Sequence, residues 1–166
     1  MSILFLLYVA LPAFVANMLP IVAARLQIFP QLDRAIHASA LGAHKTWRGI
    51  VVGVFGAIAV ALAQWAIGAT HLENIAFALA FGVLSGAGAL AGDAIKSLIK
   101  RRVGIAPGAP WIPFDHIDYM LGFLVVTYPL YNWSMREVLI LVVSAFILNP
   151  LANVIGYISG IKRTYW

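Results

Sequence analysis

The chain has 166 residues, 63% of them hydrophobic and 10% charged, with no cysteine and a formal net charge of +5; its mean hydropathy is +0.94. These fractions lie far from those of soluble globular domains, and the missing thiols exclude disulfides, thiolate catalysis and cysteine-ligated metals. The chain reads as an all-α integral membrane protein forming a single domain over residues 1–166, its positive charge directed at anionic lipid or an anionic substrate.

Crossing a hydrocarbon core of about 30 Å takes about 20 helical residues. Five stretches answer to that length: 2–24, 49–68, 72–97, 118–133 and 136–160. The first begins at Ser2 with no basic lead-in and no clear cleavage pattern, which predicts a retained helix. Asn17 lies inside it; a buried amide needs a partner, which makes it a candidate site residue as well as a packing group. The second is preceded by "GAHKTWRG", residues 42–49, which sets Lys45 and Arg48 at its entrance. They suit either interfacial anchoring beside Trp47 or a clamp on phosphate.

The third stretch ends in "GDAIKSLIK", where Asp93, Lys96, Ser97 and Lys100 recur at i, i+3, i+4 and i+7 and so share one helical face. Ionisable groups at the mouth of a span tend to face a bundle interior; the plain alternative is an Asp93–Lys96 pair with lysines reaching to the interface. Lys100, Arg101 and Arg102 then lead into a loop with Gly104, Pro107, Gly108, Pro110 and Pro113. Such a cluster is ordinary beside lipid headgroups, yet glycines allow close backbone approach and prolines stiffen the loop, so it also suits phosphate oxygens. The fourth stretch is short, contains Pro129 and opens at "FDHIDY", where Asp115 and Asp118 share a face. They suit helix caps or, together with Asp93, a hard oxygen-seeking cation such as Mg²⁺. His116 points off that face and is read as structural.

Five alternating spans place every lysine and arginine except Arg136 on one side. The positive-inside rule makes that side cytoplasmic, with the N-terminus outside, the C-terminus inside, two longer cytoplasmic loops at about 25–48 and 98–117, and short outer turns. No internal repeat supports an inverted-repeat transporter, and no polar series leads to the outer side. A transporter or channel with a charged cytoplasmic site is the alternative reading, because charge within a span can mark an ion path.

The ordered set "GAHKTWRG", "GDAIKSLIKRR", "PG" and "WIPFDHIDY" followed by a glycine, over about residues 42–122, resembles the CDP-archaeol synthases, archaeal relatives of the CDP-diacylglycerol synthases. The resemblance implies a five-helix enzyme at the cytoplasmic face of an archaeal membrane. Its reaction would use CTP and Mg²⁺ to convert 2,3-bis-O-geranylgeranylglycerol 1-phosphate into unsaturated CDP-archaeol and pyrophosphate. On that basis Asp93 and Asp118 are expected to bind the metal, with Asp115 a second or alternative ligand. Lys96, Lys100 and Arg101 are expected on the triphosphate, and Lys45 and Arg48 on nucleotide or lipid phosphate. Ser97, Gly108 and Asn17 complete the expected binding set. A glutamine is as common in the family where His116 stands, which argues against a required base there. The small residues of "GVLSGAGALAG", 82–92, allow close helix approach and leave open whether they line a lipid groove or simply pack.

Overall fold

A computed structural model of the protein describes residues 1–106, 109–162 and 164. Among them the chain forms α1 (Ile3–Arg25), a 3-10 turn (Pro30–Leu32), α2 (Ala38–Leu41), α3 (Trp47–Ala66), α4 (Ile75–Arg102), α5 (Phe114–Tyr131) and α6 (Met135–Ile158). Helices dominate because a chain in hydrocarbon must satisfy its backbone polar groups internally. Ser2, Thr46, Asn74 and Ser134 each accept a hydrogen bond from an amide in the first turn of the helix they precede, opening α1, α3, α4 and α6. Ser134 does so reciprocally with Glu137, a capping box just after the left-handed Asn132 that ends α5.

Among the described residues four helices, α1, α3, α4 and α6, are long and apolar enough to cross a membrane. The expected span at 118–133 is a helix, but it falls short of that standard because it starts earlier. Its first turns carry Asp115, His116 and Asp118. α4, in turn, runs past 97 to Arg102, so the basic cluster is helical rather than part of the loop.

α4 is the centre of the bundle, packed on α3 on one side and α5 on the other; α1 lies against α3 and α4, and α6 mainly against α5. Phe81, Tyr119, Phe123, Leu6 and Leu141 are fully or almost fully buried between them. The glycines in the small-residue run of α4 make close packing contacts, while Ala87, Leu90 and Ala91 of the same run line a cavity: a Cβ on Gly82 would meet Ile58 Cα at 2.7 Å, and one on Gly86 would meet Val54 Cα at 2.9 Å. On its other face, Gly88 and Gly92 abut Gly122 of α5 backbone to backbone. Phe55, Val125, Leu139, Val143 and Ile155 point outward, as expected of surfaces facing lipid acyl chains.

One end of the bundle is closed by aromatic groups. The His71 ring sits edge-on to Phe5, Tyr8 and Phe81, Tyr131 donates its hydroxyl hydrogen to the His71 carbonyl at 3.0 Å, and Trp133 Nε1 donates to Thr127 Oγ1 at 3.0 Å. The opposite end, where α1, α4 and α6 finish and α3 and α5 begin, is open.

Candidate active site

That open end holds a cavity of about 780 Å³ reaching between the helices. Lys45, Arg48, Asp93, Lys96, Lys100, Asp115 and Asp118 all line it. The helical spacing on α4 points Asp93, Lys96 and Lys100 the same way, and the start of α5 at Phe114 aligns Asp115 with Asp118. Contact between Gly92 and α5 then brings the two faces together.

At the centre is the Lys96 ammonium, 2.7 Å from Asp118 Oδ2, 2.8 Å from Asp115 Oδ1 and 3.2 Å from Asp93 Oδ1. Lys45 Nζ pairs with Asp93 Oδ2 from the segment just before α3. Lys100 Nζ donates to Asp115 at 3.0 and 3.1 Å and to the Ala109 carbonyl at 2.6 Å, while the Trp111 amide also donates to Asp115. Lys100 and Asp118 are each only 7% exposed. Charges this buried persist only when paired, and three carboxylates here meet three ammoniums. The simple intrahelical Asp93–Lys96 pair is present, but as one edge of a network joining α4, α5 and the segment before α3.

Arg48, 6% exposed, forms an ion pair through Nη2 with Asp33 Oδ1 at 2.9 Å, and its Nη1 has no hydrogen-bond partner. Asp33 was not among the expected site residues, although it is the sole carboxylate before Glu73. Arg101 ties the end of α4 to the following loop through Ala106 O at 3.1 Å and keeps Nε and Nη1 unpartnered at the cavity wall. Ser97 lines the cavity, but its hydroxyl donates to the Asp93 carbonyl at 2.8 Å. Asn17 lines it from α1. Gly108, with Pro107, lies outside the described residues.

His116 packs as a structural residue would, yet it also borders the site. Although it is off the face shared by the aspartates, it lines the same cavity, 7% exposed, with its ring edge-on to Phe146 and Nδ1 unpartnered. The cavity curves around the start of α5, so two faces of that helix meet it. Asn149, Asn153 and Lys162 were missed altogether. Two amides at i and i+4 in the otherwise apolar second half of α6 were a readable signal. His44 also lines the cavity; burial, then the neighbouring Lys45 ammonium, lowers its pKa and favours neutral imidazole.

Among the described residues, no three acidic or imidazole side chains form a ready-made metal cage. The donor set nonetheless fits a hard divalent cation. It is all oxygen, three carboxylates already gather on one positive centre, and Asp118 Oδ2 meets Lys96 without a directed hydrogen bond.

A family model described as CarS-like, CDP-archaeol synthase, matches residues 1–166. The chain is 34% identical over 173 residues to the CDP-archaeol synthase of Aeropyrum pernix, covering 99% of this chain and 93% of that one. It is 34% identical over 128 residues to that of Methanopyrus kandleri, covering 76% and 71%. It also superimposes on a solved structure of an intramembrane enzyme for archaeal membrane lipid biosynthesis, with a TM-score of 0.77, 30% identity, and 92% and 95% of the two chains covered. With its full length matched and its fold shared, this chain belongs to the CDP-archaeol synthase family, cytidylyltransferases of archaeal membrane lipid biosynthesis.

Proposed function

We propose that the protein transfers CMP from CTP to 2,3-bis-O-geranylgeranylglycerol 1-phosphate with Mg²⁺ as cofactor, forming unsaturated CDP-archaeol and pyrophosphate at the cytoplasmic face. The observation that carries this reading is the cluster of Asp93, Asp115 and Asp118 around Lys96, in a cavity ringed by further cations and walled by lipid-facing helices. A water-soluble triphosphate and a lipid that stays in the bilayer can meet there.

In the reaction an oxygen of the lipid phosphate forms a bond to the α-phosphorus of CTP as the bond from that phosphorus to the β-phosphate bridging oxygen breaks. The electron pair leaves with pyrophosphate. A phosphomonoester is already anionic near neutral pH, so no strong base is needed, in keeping with the lesser role assigned to His116. The work is positioning and charge neutralisation. Asp93 and Asp118 would hold Mg²⁺, with Asp115 as a further ligand; when bound, the ion neutralises phosphate charge and polarises the α-phosphoryl group. Lys45, Arg48, Lys100 and Arg101 orient the nucleotide phosphates. Lys96 is anchored by all three carboxylates, so any cation held by them frees its ammonium for phosphate.

The orientation proposed is N-terminus outside and C-terminus inside, with α5 as a fifth crossing. Its residues 119–131 are mainly apolar, and the cavity end of the bundle carries the basic residues while Arg136 sits at the other. The test is purified protein in detergent with CTP, Mg²⁺ and the lipid phosphate, scored for pyrophosphate and CDP-lipid. Metal-dependent product that disappears in Asp93→Asn supports the reading. No product from folded protein, with this lipid or with phosphatidic acid, refutes it.

A further inference from the structure

The cations from α3 and α4 occupy one side of the cavity. The opposite side, between α1 and α6, has its own polar lining. Asn149 and Asn153 stand one turn apart on α6, 7% and 8% exposed. Asn149 Nδ2 donates to the carbonyls of Asp115 at 3.2 Å and His116 at 3.3 Å, which fixes α6 against the start of α5. Asn153 accepts from Lys162 Nζ at 2.9 Å.

Lys162 gets there by a reversal of the chain. Gly160 takes a φ of 73°, and the amides of Ile161 and Lys162 both donate to the Gly156 carbonyl, at 2.9 and 2.8 Å. The lysine stem then folds back along α6 over Gly156, where a Cβ would lie 3.2 Å from Lys162 Cγ. A left-handed turn of this kind favours glycine, and a bare glycine beneath the stem makes room for it. The lysine is thereby turned inward, towards the cavity that His116 also lines.

A second cavity of about 610 Å³ adjoins this wall. It is bounded by Arg25 and Gln27 after α1 and by Gly160, Ile161 and Lys162 after α6, and it shares Ile21, Ala24 and Lys162 with the first. α6 packs mainly on α5 and only lightly on α1. The seam between α1 and α6 is thus the lightly packed side of the bundle, and Lys162 stands where it meets the reaction cavity.

We propose that Lys162 and Asn153 form the subsite for the phosphate of the acceptor lipid, which reaches the cavity between α1 and α6 from the bilayer. This rests on the cytidylyltransferase reading. In an in-line displacement the acceptor phosphate approaches the α-phosphorus of CTP opposite the leaving pyrophosphate, so it needs its own cationic subsite, and an ammonium with an adjoining amide suits a phosphomonoester. Ile21 and Ala24 give an apolar flank for the chains at the same place. His116 lines the same cavity, and its buried Nδ1 has no hydrogen-bond partner.

The experiment uses the full chain in detergent with Lys162→Gln, Asn153→Ala and Lys162→Arg. Steady-state KM values are measured for CTP and for the lipid phosphate separately, and binding of the lipid phosphate, glycerol 1-phosphate and inorganic phosphate is measured directly without CTP. Losing a charge-assisted contact should raise the lipid KM and weaken lipid-phosphate binding by about tenfold or more in Lys162→Gln. The KM for CTP should stay within about twofold, which also shows an intact fold, and Lys162→Arg should restore much of the loss. Glycerol 1-phosphate and inorganic phosphate should bind far more weakly; equal binding of all three would overturn lateral entry by a lipid. A raised KM for CTP alone, or no change in either constant, overturns the subsite. A wild-type protein that forms no CDP-lipid refutes the reaction, while the binding arm still judges the subsite: unchanged or absent lipid-phosphate binding overturns it.

Discussion

Gly122→Ala probes the joint that assembles the site. A Cβ there would lie 2.8 Å from Gly92 N and 2.9 Å from Gly92 Cα, and closer still to the Gly88 carbonyl oxygen. These are backbone atoms on the facing helix, so no flexible side chain can move aside. Carbon contacts settle near about 3.5–4.0 Å, so the Gly92 contacts alone require α5 to withdraw by roughly 0.5–1 Å, and the closer Gly88 oxygen requires about 1 Å or more. Gly92 directly precedes Asp93, and Asp118 lies one turn before Gly122. The withdrawal therefore opens the 2.7 Å contact between Lys96 and Asp118. Overpacking of this kind costs about 1–3 kcal/mol of stability, and a displacement near 1 Å at reacting groups costs on the order of 10²-fold in rate. CMP transfer from CTP, with thermal unfolding in detergent alongside, measures both. Wild-type turnover together with wild-type stability would refute the claim that backbone contact between α4 and α5 sets the carboxylate geometry.

Lys96→Met removes the ammonium common to three carboxylates. Breaking a buried pair typically costs about 3–5 kcal/mol, and the partial exposure of Asp93 and Asp115 puts this one at the lower end. Mg²⁺ should then raise the thermal midpoint of the variant more than that of the wild type, because a cation replaces the missing charge; equal shifts would count against a cation site there. Asp33→Ala frees the buried Arg48 guanidinium and should raise the KM for CTP about tenfold with a smaller change in kcat, as loss of a charge-assisted contact implies. An unchanged KM would remove Arg48 orientation from the account. Ser134→Ala deletes the capping box at the far end of the bundle and should cost about 1 kcal/mol while leaving kcat untouched. A fall in kcat would mean that the two ends are coupled.

The sequence alone was sufficient for whatever depends on near neighbours in the chain. Hydropathy located α1, α3, α4 and α6 to within a few residues, because burial in lipid acts on each stretch separately. The helical repeat put Asp93, Lys96 and Lys100 on one face, and ordered motifs pointed to the family. Hydropathy was weakest at α5, whose start at Phe114 folds the polar residues of a site into a helix. Contacts across the bundle were not legible. Lys45 meets Asp93 across 48 residues, Asp33 holds Arg48 from a loop, and Lys162 turns back on Asn153 only because Gly160 reverses the chain. Nor did the run at 82–92 reveal whether its small residues made a groove or a joint, since that depends on which helix lies opposite. Spacing along a helix is set by backbone geometry and can be read locally. Which charge meets which carboxylate is set by how closely neighbouring helices approach, and here glycines on α4 and α5 make that approach possible only once the bundle is packed.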